Sequence, residues 1–197
     1  MELRCVEFFA IQKKPSTLNH SLLIKKLQYY GIKGKSKSLL ESYITNTYQR
    51  VQIENSSLNT KIVSGWTKVK HGVPQGSILG PLLFLLYING FPNSITYKAT
   101  PILFADDTSI IISRPNTHLP QNDLTKIFGQ ITKWFQENSL SLNPSKTYLM
   151  QFCSNNKNCL DLDIAHKNGY IPNINEIKFL GLHINPFRST VVAALTA

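Results

Sequence analysis

Apolar and polar positions fall into blocks whose period switches between two and about three and a half, so strands and helices can be read off in turn. An apolar run at 6–11, bounded by Gln12-Lys13-Lys14-Pro15, predicts a buried strand entering a turn. Asn19 is placed to cap a helix over 21–30 that Gly31 closes, and a second helix over 37–48 sets Leu39, Leu40, Tyr43 and Ile44 on one face. Runs at 50–53 and 66–69 read as two strands of a hairpin around polar residues 55–60. Ser77 should cap a strongly apolar helix that ends near Asn89-Gly90, with Pro81 in its first turns. Runs at 102–105 and 108–112 are parted only by Asp106-Asp107, the spacing of a tight hairpin. Leu124, Ile127, Phe128, Ile131, Trp134 and Phe135 then recur at i, i+3, i+4, i+7, the clearest helical stripe in the chain. Strands at 148–152 and 177–184 follow, and 186–197 carries no clear element.

This order argues an α+β fold, an antiparallel sheet backed by helices on one face. Composition agrees, since 42% hydrophobic and 16% charged residues over 197 positions exclude disorder as the main state. Charge adds a partner class: 21 Lys+Arg against 11 Asp+Glu give a net +10, which points to a polyanion. Three cysteines (Cys5, Cys153, Cys159) without a Cys-x-x-Cys spacing suggest neither a disulfide framework nor a zinc knuckle, and are expected to be buried thiols. The longest apolar run, 78–88, is too short to span a bilayer, and no signal-peptide pattern opens the chain; an intracellular protein without a membrane segment is expected.

Three places can carry chemistry. Adjacent aspartates at a hairpin tip are ordinary turn chemistry when taken alone. In a greasy hairpin, however, two carboxylates repel by about 1 kcal/mol at 4 Å even in water, and a hard cation such as Mg²⁺ would reverse that sign. A two-ion phosphoryl-transfer site needs a further carboxylate from a neighbouring strand. Gly72-Val73-Pro74-Gln75-Gly76-Ser77 is either a helix lead-in or a loop whose glycines let backbone approach a base or phosphate, with Gln75 offering its amide. Lys146, after Asn143-Pro144-Ser145, is a solvated turn lysine or a proton donor beside a leaving phosphate.

Taken in order and spacing, these segments resemble the reverse transcriptases of non-LTR (LINE-like) retrotransposons. His20-Ser21-Leu22-Leu23-Ile24-Lys25-Lys26-Leu27 with Tyr30-Gly31-Ile32 is similar to the segment after that family's first catalytic motif. GVPQGSILGP at 72–81 with LLFLLYIN after it resembles the loop and helix holding template and nucleotide. Phe104-Ala105-Asp106-Asp107 resembles the metal-binding box, Trp134 with 140–147 the next block, and Phe179-Leu180-Gly181 the primer grip. The resemblance implies a polymerase palm-type sheet with part of the fingers over 1–185, leaving 186–197 unassigned. It implies an RNA-directed DNA polymerase using two Mg²⁺, an RNA template, a DNA primer and deoxynucleotides, with no protein partner. It assigns Asp106, Asp107 and Lys146 to catalysis, the two aspartates to metal, and Pro74, Gln75, Gly76 and Phe104 to nucleotide and template.

One block departs from the pattern. Where the family reads like Asp-Leu-Ser-Lys-Ala-Phe-Asp, this chain has Ala10-Ile11-Gln12-Lys13-Lys14-Pro15-Ser16. Ala10 takes the place of the carboxylate that should bridge both ions, Ser16 that of the second aspartate, and Pro15 that of the aromatic screening the sugar. The chain is therefore expected to extend no primer at a useful rate. The alternative is a catalytically dead remnant that grips phosphate backbones through Lys25, Lys26, Lys33, Lys35 and Lys37. In either case Ala10 should lie on a strand antiparallel to the 102–112 hairpin, facing Asp106.

Overall fold

A computed structural model describes residues 3–12, 18–55, 60–74, 76–95, 99–115, 121–152, 164–166, 169–179, 182–185 and 192–193; of 3–12, 113–115, 166, 179 and 192–193 it describes the backbone alone. In chain order the elements are β1 (Leu3–Gln12), α1 (His20–Tyr29), α2 (Gly34–Thr45), β2 (Tyr48–Gln49), β3 (Gln52–Asn55), β4 (Thr60–Val63), β5 (Thr67–Lys68) and α3 (Leu79–Ile88). A 3-10 turn at Pro92–Ser94 leads to β6 (Ala99–Phe104), β7 (Asp107–Pro115), α4 (Gln121–Glu137), β8 (Leu142–Phe152), β9 (Ile164–His166), β10 (Gly169–Ile171), β11 (Ile177–Phe179), β12 (Leu182–Ile184) and β13 (Val192–Ala193). The mixture of helices with small antiparallel sheets is the expected α+β class.

The chain divides into two compact units, Met1–Lys13 with Gly90–Ala197, and Lys14–Asn89. The first is built on a four-stranded sheet in the order β6-β7-β1-β8. Its central strand β1 runs antiparallel to both neighbours, with Ala10 opposite Thr108 on one side and Thr147 on the other. Ile110, Ile112, Leu149 and Met150 are buried along those neighbours. The six stripe residues of α4 are all buried; Trp134 meets Phe91 and Phe135 edge to face and those two rings meet tilted, with centroids 5.0 to 5.7 Å apart. Ser139, at φ 53°, stops this helix: Leu140 N–H donates to Phe135 O at 2.7 Å and Ser139 N–H to Gln136 O at 3.0 Å. That double closure is the Schellman pattern, and buried Leu140 supplies its apolar contact.

The second unit packs α1 beside α2 and α3. Asn19 caps α1 by accepting from Leu22 N–H at 3.1 Å, and Gly31 closes it at φ 88°, both as the sequence predicts. Between α2 and α3 the chain runs out and back as a ribbon, Tyr48–Gln49 pairing with Thr67–Lys68 and Gln52–Asn55 with Thr60–Val63.

Several boundaries differ from expectation. Helix α2 spans Gly34–Thr45 rather than 37–48; Gly34 at φ 58° starts it early, Tyr48 goes to the ribbon, and Leu39 is exposed while Ile44 is buried. The partner of 52–55 is 60–63, so the ribbon holds two short ladders where one was expected. The helix of α3 begins at Leu79, yet Ser77 still does the capping work, its Oγ accepting from Gly80 N–H at 3.0 Å. The 177–184 run is two strands, Ile177–Phe179 pairing antiparallel with Leu182–Ile184. In the tail, Val192–Ala193 adds a third strand to them. Cys153, Cys159 and residues 13–17, with Pro15 and Ser16, lie outside the described residues. Among those described, no helix is long and apolar enough to cross a membrane.

Candidate active site

The β6–β7 hairpin turns on Ala105 and Asp106, and Asp107 is already the first residue of β7, opposite Phe104. The aspartates are thus split between turn and strand rather than sharing the turn. A two-residue connection demands positive φ, and alanine supplies it, Ala105 standing at φ 50°. Left-handed backbone in a residue with a Cβ costs about 1–2 kcal/mol, so strain is stored beside Asp106. Both carboxylates are half-buried. Burial pushes the Asp107 carboxyl above its ordinary value, the adjacent Asp106 carboxylate pushes it further, and the Lys146 ammonium pulls part of the way back. The site is consequently two mutually repelling carboxylates with a cation in their field.

Lys146 reaches that field from the other side of β1. The ladder between β1 and β8 shifts between Ala10↔Thr147 and Gln12↔Leu142, so residues 143–146 bulge out of the pairing. Asn143 holds the bulge: its Oδ1 accepts from Ser145 N–H at 3.1 Å and from Ser145 Oγ at 2.7 Å, and its carbonyl accepts from Thr147 Oγ1 at 2.7 Å. The turn expected at 143–146 is therefore present, but inside a strand. β8 is an edge strand, where Pro144 removes no inner ladder bond.

The register sets Ile11 opposite Asp107 and Ala10 opposite Thr108, so β1 does lie antiparallel beside the hairpin, at the expected height. The side chain of Ala10 is outside the description. Thr108 and Thr147, the backbone partners of Ala10, are both buried, and Thr147 Oγ1 is engaged with Asn143 O. Phe104 is 56% exposed beside Asp107 on edge strand β6.

In the second unit, Pro74 is half-buried and Gly76 exposed at φ 80°, the left-handed geometry that favours glycine; Gln75 is outside the description. The preceding residues are clasped by the start of α1. His20 Nε2 hydrogen-bonds Gly72 O at 2.7 Å, Gly72 N–H donates to Leu18 O at 2.7 Å, and Asn19 bridges His71. His20 stood inside a motif without a role, and this buried clasp gives it one. Lys26 departs from the expected basic surface: its stem turns inward, Nζ donating to Tyr87 O and lying 4.5 Å from that ring's centre. Burial pushes its ammonium down to about 8. Lys25, Lys33 and Lys35 are exposed, and Lys37 meets Glu41 at 3.8 Å. Of the residues expected to grip the primer, Phe179 ends β11, while Leu180 and Gly181 are outside the described residues.

The fold is an α+β one with an Asp-Asp pair at a hairpin tip, and comparison with known sequences gives the family. The profile of the family described as reverse transcriptase (RNA-dependent DNA polymerase) matches residues 8–184. The chain belongs to that family. It is 24% identical over 190 residues to the probable RNA-directed DNA polymerase from transposon BS of Drosophila melanogaster, covering 90% of this chain and 20% of that protein. It is 27% identical over 147 residues to the corresponding protein of transposon X-element from the same fly, covering 73% and 15%. The chain thus spans about a fifth of the length of these relatives. Among solved structures, apo telomerase from Candida tropicalis shares the fold at a TM-score of 0.62 and 16% identity, over 96% of this chain and 35% of that one.

The family generally uses divalent metal ions and acts on RNA templates. Asp106 and Asp107 offer the hard oxygens such ions prefer, but two carboxylates from one hairpin fall short of a two-ion clamp. Among the described residues no group of three His, Cys, Asp or Glu side chains converges on a metal site. The donor set among the described residues does not fit a pair of ions.

Proposed function

We propose that residues 1–185 are the palm and part of the fingers of a retroelement reverse transcriptase, in a copy that has lost catalysis. The family's reaction is attack of a primer 3′-hydroxyl on the α-phosphate of a deoxynucleotide opposite an RNA template, with pyrophosphate leaving. In this reading Asp106 and Asp107 are the surviving ligands for Mg²⁺, Lys146 faces the leaving pyrophosphate, Pro74, Gln75, Gly76 and Phe104 border nucleotide and template, and Phe179, Leu180 and Gly181 grip the primer. The protein works inside the cell, where template, primer and nucleotides are found.

The observation that carries this reading is the charge pattern of the hairpin tip. Burial first, and then repulsion from Asp106, raise the Asp107 carboxyl even with Lys146 near. Such an arrangement costs stability without an external cation, which argues retention from a metal site. Alanine at position 10 removes the third negative group. Positioning and electrostatics are nearly all that a protein contributes to phosphoryl transfer, so the remaining side chains cannot replace it.

The test is primer extension on an RNA template by the purified chain, with Mg²⁺ or Mn²⁺ and with Asp106→Ala as control. Binding of the template–primer with incorporation at background is the expected result. Robust extension abolished by Asp106→Ala would show that another group does the work of the missing aspartate. Failure to bind template–primer at low salt would overturn the assignment to nucleic acid.

A further inference from the structure

The ribbon between α2 and α3 plays no part in the site above, yet its surface is unusual. Every described residue from 48 to 55 and from 60 to 68 is exposed, including Tyr48 at 55% and Trp66 at 65%. Burying two such rings would ordinarily be favourable, and a chain that leaves them in water has a use for them or a cover for them. Across 47–70 the basic residues are Arg50, Lys61, Lys68 and Lys70, against the single acid Glu54. Lys61 meets Glu54 at 2.6 Å, so three cations remain unmatched within the ribbon.

Pairing places these groups on one face. Tyr48 is the register partner of Lys68, and two residues along each strand Arg50 lies over Trp66, its guanidinium carbon 4.7 Å from the ring centre. Ring faces cation, then cation faces ring. Diagonal neighbours on one face of an antiparallel pair stand about 7–8 Å apart. That is roughly twice the 3.4 Å step between stacked nucleotides, which leaves room for a flat base. Protein-binding surfaces deplete lysine at their centres, whereas alternating rings and cations suit a strand of unpaired bases on a phosphate backbone.

We propose that the face formed by Tyr48, Arg50, Trp66 and Lys68 is a stacking platform for single-stranded nucleic acid. The choice of nucleic acid over another polyanion rests on the reverse-transcriptase reading. The platform takes unpaired nucleotides only, because a duplex hides its base faces. Trp66 reports the event itself: the chain has two tryptophans, and Trp134 is buried.

The experiment titrates the full chain with a short single-stranded RNA and reads both tryptophan emission and the anisotropy of a labelled oligonucleotide. Saturable quenching is expected, absent with a duplex of equal length and with polyglutamate. Trp66→Phe should bind without the quenching signal, Trp66→Ala and Tyr48→Ala should each weaken binding about tenfold, and Lys61→Ala should leave it unchanged. Anisotropy that rises without any change in emission overturns the platform and leaves the reverse-transcriptase reading intact, while absence of binding by either signal overturns both. Equal quenching by polyglutamate, or emission that changes with protein concentration alone, would mark the ribbon as a surface for an acidic protein or a second copy, and would likewise overturn the proposal.

Discussion

Lys26 shows how one residue can carry a measurable signature. Its ammonium is stabilised by Tyr87 O and the face of that ring, but burial outweighs both and lowers its proton affinity to about 8 against an ordinary 10.5. Below about pH 8 both folded and unfolded chains carry the charge, and the folded state bears the whole desolvation cost. Between about 8 and 10.5 the folded state binds fewer protons than the unfolded one, so stability climbs with pH. Tyr87, raised by burial from 10.0, works in the opposite direction above pH 10. The urea midpoint should therefore rise between pH 8 and 10, and in Lys26→Met, which keeps the apolar stem, it should stay flat. A variant that climbs as steeply as wild type would assign the rise elsewhere. At the hairpin tip, Ala105 pays for a left-handed backbone that glycine would adopt freely. Ala105→Gly should stabilise by up to about 1 kcal/mol, less than the full strain because glycine also loosens the unfolded chain. Denaturant curves decide it.

Among the elements, α4 was the most legible, and the reason is physical. A stripe at helical period is a packing requirement written directly into sequence, and all six of its residues are buried. Phe135 is 1% exposed and touches both Phe91 and Trp134 rings, so Phe135→Ala should cost about 3–5 kcal/mol. Thermal unfolding of the variant checks that, and a loss below 1 kcal/mol would mean the aromatic cluster closes over the gap. The hairpin, the Asn19 cap and the Gly31 stop were equally legible, since each depends on residues adjacent in sequence. What could not be read depends on residues far apart. Asn143-Pro144-Ser145-Lys146 carries turn chemistry, and only the register against β1 shows that the turn is a bulge within β8. The clasp of His20 on Gly72 joins positions 52 apart, and no local pattern encodes it. The inward course of Lys26 was equally hidden, because a lysine beside another lysine reads as surface.

For the whole molecule the net +10 is the dominant property. It predicts template–primer affinity that falls with salt, log K against log[salt] being linear with a slope of about 0.7–0.9 per phosphate neutralised. A chain contacting about three phosphates should show a slope near −2. Titrations at several ionic strengths give that slope directly, and an affinity indifferent to salt would mean that the charge faces no phosphate. Sequence identifies the family because its motifs are short and local. The arrangement of charge on the ribbon needed pairing between Tyr48 and Lys68 before it had a meaning.

The first unit takes inner strand β1 from ahead of the second unit in sequence and its other strands from beyond Gly90. During synthesis β1 leaves the ribosome well before its two partners, which begin at Asp107 and Leu142. At 5–20 residues per second β1 waits roughly 5–20 s with both edges open, while the second unit, continuous in sequence, can form from its own residues. A strand in that position is a template for pairing with any neighbouring nascent chain. Translation that stalls before residue 107 therefore leaves Val6, Phe8, Phe9 and Ile11 in a strand with no ladder, and such products should go to chaperones or aggregate, whereas those stalled after residue 152 should not.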